Sequence, residues 1–240
     1  MLSQKPSAVA VVLAGGNGSR FGAAQNKVYL PLAGRRVISW SVESLARVPN
    51  VTGIVVAVRR DERAFAAAVL EREVPDAPVL LVDGGQSRHE SEYNAFRAIE
   101  ERGINADVLV VHDGARPLIS PDLVSRLIGV AYAVGGAIPA LPAPDVVALG
   151  EEGLIEPVMD DAPVARVQTP QVFRTGAVLT AYHAAAREGF IGTDTASCVE
   201  HFTDTVVQTI PGDDRNIKVT YPQDLFTAER VLAVTHYVMR

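Results

Sequence analysis

The stretch Ala8-Val9-Ala10-Val11-Val12-Leu13-Ala14-Gly15-Gly16-Asn17-Gly18-Ser19-Arg20 decides the reading of this 240-residue chain. Its seven apolar residues are too few for a membrane span and suit a buried β-strand. The glycines that follow let the backbone turn tightly at the strand's carboxyl end. Outward from this point, apolar β-rich runs recur at residues 53–58, 79–82, 107–111, 136–141 and 205–210. Segments of helical period lie between them. Ile38, Val42 and Leu45 repeat at i, i+4, i+7, as do Tyr93, Phe96 and Ile99 at i, i+3, i+6, and Leu123, Leu127 and Val130 similarly. Such alternation predicts right-handed crossovers and a mainly parallel sheet covered on both faces, a three-layer, Rossmann-like α/β architecture. No internal repeat or polar linker divides the chain, so residues 1–240 read as one domain.

Composition narrows the function classes. With 48% hydrophobic and 21% charged residues, wholesale disorder is excluded, and 19 Gly and 15 Pro exclude a collagen-like chain. The opening residues lack a signal-peptide stretch and the lone Cys198 can form no internal disulfide or zinc cage, so a soluble cytoplasmic protein is expected, with no membrane partner. Twenty-two Lys and Arg against 28 Asp and Glu give a net charge of −6 with no basic block, which argues against a nucleic-acid partner. Any anionic ligand must therefore be recruited by local cations. Cys198, with no basic neighbour, reads as a small core residue, and His112 as a buried neighbour of Asp113. The other histidines, at 89, 183, 201 and 236, show no metal-ligand spacing.

One segment breaks the rhythm. Residues 142–170 carry five prolines and no helical period. Within them, residues 146–149 and 154–155 flank Gly150-Glu151-Glu152-Gly153 and predict a short hairpin. Two strands are marginal alone in water, so this hairpin must lie on its own domain or on another subunit.

Open parallel sheets bind ligands at the carboxyl ends of their strands. The loop after the first strand contains Gly15, Gly16, Gly18 and Gly22, with Arg20 inside it and Lys27 just beyond. The dinucleotide pattern G-x-G-x-x-G fails, because Phe21 occupies the third glycine's place, and that argues against a nicotinamide-dependent oxidoreductase. A P-loop fails too, for no Gly-Lys-Ser/Thr closes the run. What remains, L-A-G-G-x-G-x-R followed by a lysine, is a glycine turn able to cradle phosphates, with two cations.

This run resembles the signature of nucleoside-triphosphate sugar nucleotidyltransferases. Five further segments narrow the resemblance: Asp83-Gly84-Gly85-x-x-Arg88-x-x-Ser91, Val111-His112-Asp113-Gly114-Ala115-Arg116-Pro117, Gln168-Thr169-Pro170-Gln171-Val172-Phe173, Thr193-Asp194-x-Ala196-Ser197 and Asn216-Ile217-Lys218-Val219-Thr220. In this order and spacing they resemble the 2-C-methyl-D-erythritol 4-phosphate cytidylyltransferases and their relatives acting on ribitol 5-phosphate. The resemblance implies a nucleotidyltransferase-type sheet and attack of an acceptor phosphate on the α-phosphorus of CTP. The products would be CDP-methylerythritol and pyrophosphate, in the non-mevalonate route to isoprenoid precursors. A phosphate monoester, with a second pKa near ~6, is already mostly dianionic at neutral pH, so no general base is needed. The requirement is for cations and Mg²⁺ or another divalent ion to bring anions together and stabilise charge on phosphoryl oxygens.

By resemblance, Arg20, Lys27 and Lys218 are the catalytic cations. Ala14, Gly15, Gly16, Asn17 and Gly18 wrap the nucleotide, Gly85 and Ser91 hold the cytosine, and Arg88 braces that loop. Asp113, Arg116, Thr169 and Arg166 would face the acceptor, with Asp113 also the candidate metal ligand. The irregular segment would be an arm, at about residues 142–168, exchanged between the subunits of a homodimer. Here the chain departs from the family. Val146 replaces a threonine, Asp161 stands where an arginine is usual, and Asn26-Lys27-Val28 replaces Pro-Lys-Gln. The divergence keeps two other readings in view: a different polyol phosphate such as ribitol 5-phosphate, and a nucleotide-binding protein without turnover.

Overall fold

The computed structural model describes residues 5–16, 26–149, 152, 154–156 and 163–238. In chain order, β1 (Ala8–Leu13) leads to a small ribbon, β2 (Pro31–Leu32) and β3 (Arg35–Arg36), and then to α1 (Val37–Ala46). Next come β4 (Val51–Val58), α2 (Arg63–Glu73), β5 (Val79–Asp83), α3 (Arg88–Glu101), β6 (Val108–Asp113), α4 (Pro121–Val134) and β7 (Gly135–Pro142). The irregular segment holds β8 (Ala148–Leu149), β9 (Ile155–Glu156) and β10 (Ala165–Val167). The chain closes with β11 (Gln171–Arg174), α5 (Thr175–Glu188), α6 (Thr195–Phe202), β12 (Val206–Pro211) and α7 (Pro222–Val238).

The sheet runs β5-β4-β1-β6-β11-β7-β10, with β12 paired to β7. Pairs β1–β4, β4–β5, β1–β6 and β7–β12 are parallel, whereas β11 runs antiparallel to β6 and β7, and β10 antiparallel to β7. The mainly parallel sheet expected from the alternation is present, with two antiparallel insertions that the alternation did not show. β1 explains the layering. Ala8, Ala10 and Val12 join a cluster with residues of α1, α2 and α4, while Val9 and Val11 join one with residues of α3, α5 and α6. Side chains that alternate along a strand thus feed two cores, which is why its sequence is apolar throughout.

Helices α3, α4 and α6 begin where short polar side chains satisfy free N–H groups. Ser87 accepts from Glu90 at the start of α3, and Ser120 accepts from Leu123 ahead of Pro121 in α4. Asp194 and Ser197 form a reciprocal capping box at α6, with Asp194 as the cap. Cys198 is buried in the second core, as its sequence context predicts. Helix α7 packs Ala228 and Leu232 with Leu32, Val37 and Val219, clamping the segment that carries Lys218. Among the described residues no helix is long and apolar enough to cross a membrane.

The irregular segment is a ladder with a hairpin beyond it. Pro142 pairs with Ala165 and Ala140 with Val167, and Ala143 N–H donates to Val164 O at 3.0 Å. Farther out, Ala148 pairs with Glu156 and Leu149 with Ile155, a shorter hairpin than the sequence predicts.

Between β1 and β6 the chain reverses its direction of sheet growth, and their ends approach closely. Gly114 N–H donates to Leu13 O at 2.9 Å, and a Cβ at Gly114 would stand 3.0 Å from that same oxygen and 3.2 Å from Val12 Cγ1. Backbone and a core valine cannot both give way. We predict that Gly114→Ala lowers stability by about 1–3 kcal/mol, the usual range for overpacking. Denaturant unfolding checks this, and an unchanged midpoint would remove the close approach as a constraint.

Candidate active site

The crevice at the switch between β1 and β6 is where an open α/β sheet places ligands. Leu13 lies directly opposite Asp113 in the parallel register, so the glycine loop and the Asp113 carboxylate leave the sheet side by side. Ala14 N–H is tied to Ala57 O at 2.8 Å, which fixes where the loop begins. A Cβ on Gly16 would meet nothing within 4 Å, whereas one on Gly15 would lie 3.5 Å from Ser91 Oγ. The glycine loop therefore backs onto the loop that opens α3. Asn17, Gly18 and Arg20 lie outside the described residues.

Ser91 organises that second loop. Its buried hydroxyl accepts from Gly85 N–H at 3.0 Å and donates to Ser87 O at 2.8 Å. Its single proton is thus spent within the protein. The structure brings Ser91, Gly85 and Gly15 together.

Lys27 sits in a short 3-10 turn, Lys27–Tyr29, capped by Asn26. Asn26 is buried, and its amide donates to Ala14 O at 2.6 Å and to Glu62 Oε2 at 3.0 Å, while Oδ1 accepts from Val28 N–H at 3.3 Å. One side chain thereby joins the lysine turn to the end of β1. That is the physical content of the Asn26 departure from the family pattern.

Asp113 is the centre of the other half. Its carboxylate meets Lys218 Nζ at 2.8 Å and Arg116 Nε at 3.6 Å through Oδ2, and Arg88 Nη1 through Oδ1. Burial pushes this carboxyl upward in pKa, but Arg88, Lys218 and Arg116 outweigh it and hold Asp113 well below the usual carboxylate range. Arg88 also contacts Glu92 Oε1 at 3.0 Å. Arg116 Nη1 donates to Asn216 O at 2.7 Å, and Val219 N–H donates to Ala115 O at 2.8 Å, docking the Lys218 segment on the Asp113 turn.

Behind the carboxylate lies a neutral histidine. Burial lowers the His112 pKa to about 4. Its Nε2 faces Arg116 O at 3.1 Å, an acceptor, so the proton resides on Nε2 and Nδ1 accepts from Thr169 Oγ1 at 3.2 Å. Thr169 Oγ1 in turn accepts from Asp113 N–H at 3.0 Å. The Thr169 hydroxyl proton is therefore committed and the side chain buried, so Thr169 locks Asp113 from behind and has no proton to offer an acceptor.

Comparison with known proteins settles the family. The family model for 2-C-methyl-D-erythritol 4-phosphate cytidylyltransferase matches residues 8–234. The chain belongs to that family. A cytidylyltransferase of that name from Geobacter metallireducens is 38% identical over 221 residues, which cover 92% of this chain and 95% of that protein. One from Thermobifida fusca is 38% identical over 237 residues, covering 95% and 94%. The crystal structure of the Thermus thermophilus enzyme of that name superposes with a TM-score of 0.72 at 27% identity, over 95% of this chain and 98% of that one.

Within this cytidylyltransferase, two further residues of the site reading can be placed. Arg166 is exposed on β10 and pairs with Asp145 at 3.9 Å, and among the described residues no hydrogen bond or ion pair links it to the Asp113 cluster. Asp161 lies outside the described residues. Asp113 does not fit as one ligand of a protein-held metal centre. It brings a single carboxylate whose oxygens already meet cations, and no three His, Cys, Asp or Glu side chains cluster to hold a metal among the described residues. Arg88 braces Asp113 as well as its own loop. The Arg88–Glu92 spacing of four on α3 was the available signal for that pairing. Gln168 and Asn216 stand in the quoted motifs and Asn26 beside Lys27, but their positioning bonds were not readable from the motifs.

The Asp113 shift has a sign that can be tested. A carboxyl whose pKa is depressed on folding stabilises the protein above its unfolded value, near ~3.9, and loses that contribution as pH falls toward the folded value. We predict that the wild type loses stability below about pH 4 and that Asp113→Asn, less stable at neutral pH, loses less over the same interval. Urea midpoints between pH 6 and 3 measure both, and parallel curves for the two proteins would contradict the assignment.

Proposed function

We propose that this chain joins CTP to 2-C-methyl-D-erythritol 4-phosphate, releasing pyrophosphate, through the crevice between β1 and β6. The observation that carries the reading is the register that sets Leu13, and hence the glycine loop, beside Asp113 with its three cations. The glycine loop, with Arg20 and Lys27, receives the triphosphate; the Gly85–Ser91 loop lines the cytosine side. Asp113 and Arg116 orient the acceptor. The other polyol phosphates and a protein without turnover are not favoured, because family and relatives carry one activity in their names.

The chemistry asks little of proton transfer. The acceptor's dianionic phosphate is itself the nucleophile. Its approach to the α-phosphorus needs neutralisation, which Lys218 supplies on leaving Asp113. Lys218 is 41% exposed on its side chain, against 13% for Arg116 and 27% for Arg88, so it is the partner best able to turn outward. Arg20 and Lys27 stabilise charge on the transferring group and the leaving pyrophosphate. Mg²⁺ would be carried on the triphosphate, since the described residues cluster no three carboxylate, histidine or cysteine ligands.

Incubation with CTP, Mg²⁺ and a panel of polyol phosphates, followed by pyrophosphate release, tests the reading. Methylerythritol phosphate is the expected acceptor, and release only with ribitol 5-phosphate would overturn it. In the same assay Arg20→Ala and Lys27→Ala should each cost about 10²-fold or more in turnover, in line with the ~2.7–4 kcal/mol lost with one preorganised donor.

The hairpin beyond β7 and β10 exposes Val146, Val147 and Leu154, an apolar set with no cover from the described residues of its own chain. We propose that it packs on a second copy and that Arg166 serves the acceptor phosphate in that partner's crevice. Removing residues 145–157 should give a monomer without turnover, and Arg166→Ala should raise KM for the acceptor several-fold. Sedimentation and steady-state kinetics check the two, and a fully active dimer lacking the arm would end the proposal.

A further inference from the structure

Glu92 is fully buried on α3, a place where an apolar side chain would pack against Phe96 and the core below the sheet. A buried carboxylate is expensive and asks for a reason. Both of its oxygens are engaged from three helices. Oε1 meets Arg88 Nε at 3.0 Å and accepts from Thr195 Oγ1 at 3.0 Å, and Oε2 accepts the Tyr182 hydroxyl. Tyr182 is itself fixed between His89, stacked at 4.6 Å, and the edge of Phe96 at 4.8 Å.

The consequence lies at Arg88. A guanidinium beside a carboxylate favours the fork, two parallel bonds to both oxygens. Here Arg88 gives Asp113 only Nη1, while Nε is held in the ion pair with Glu92 and Nη2 is buried with no hydrogen-bond partner among the described residues. That leaves Asp113 Oδ2 to Lys218 and Arg116.

We propose that Glu92 is a positioning residue for the acceptor side of the reaction: by tethering Arg88 it prevents a fork onto Asp113 and reserves Oδ2 for exchange between Lys218 and the acceptor. Released from Glu92, Arg88 would turn Nη2 onto Oδ2 and displace Lys218. The effect passes through Asp113, while the Gly85–Ser91 loop keeps its own bonds of Ser91 with Gly85 and Ser87. It rests on Asp113 facing the acceptor, a reading tested separately by wild-type pyrophosphate release with methylerythritol phosphate.

The test is steady-state kinetics of Glu92→Leu, with thermal unfolding alongside. A leucine leaves the Arg88 guanidinium and the Tyr182 and Thr195 hydroxyls without their buried partner, so the fold should lose stability, and thermal unfolding sets a temperature at which both proteins are folded for the kinetic comparison. KM for methylerythritol phosphate should rise about tenfold or more, with KM for CTP unchanged. Adding Arg88→Gln should recover part of that loss, because the competing fork is gone. Should Glu92→Leu fail to fold, the isosteric Glu92→Gln carries the same comparison. An unchanged acceptor KM, an equal rise for both substrates, or a double variant worse than Glu92→Leu would each overturn the proposal.

Discussion

The Asp113 carboxylate joins three cations from three distant parts of the chain, and the site's geometry depends on that convergence. Arg88 comes from the start of α3, Arg116 from the turn after β6, and Lys218 from the segment clamped by α7. Without a carboxylate, three positive charges in a partly buried crevice would repel one another with little screening. With it, each end of the sheet region is pinned to the same point, and the Thr169–His112 pair holds that point from behind. The same arrangement suits the phosphate chemistry proposed for it, since a cation held by a carboxylate can be released to an anion without leaving the site.

Strand β1 and the turn that carries Lys27 were legible in the sequence because their signals are local. A buried strand, a glycine turn and a following lysine are contiguous, and period and turn chemistry report them directly. Strand β6 with its terminal Asp113 was legible for the same reason. What escaped depends on contacts remote in sequence. β11 is four residues long and exists by pairing between β6 and β7, and β10 by pairing with β7. The Thr169 motif could be seen, but not that its proton is spent on a histidine 57 positions earlier. Likewise Asn26 reads as a departure from the family pattern, and only the bond to Ala14 O shows that an amide there ties two loops together.

Charge explains why the crevice can be selective. The chain carries a net −6, so its overall field opposes two anionic substrates, and attraction must be local. Around Asp113 the local sum is small: Arg88, Arg116 and Lys218 against Asp113 and Glu92, three positive charges with two negative. An isolated anion that drew Lys218 away would leave Asp113 short of one partner in a buried setting, which opposes the exchange. An acceptor carrying both a phosphate and hydroxyl groups avoids that cost, for the phosphate takes the lysine while a hydroxyl donates to the vacated Oδ2. On the proposed reading, the ion-pair cluster favours a polyol phosphate over free phosphate by requiring both ends at once, with Asp113 setting specificity as much as the cations set affinity.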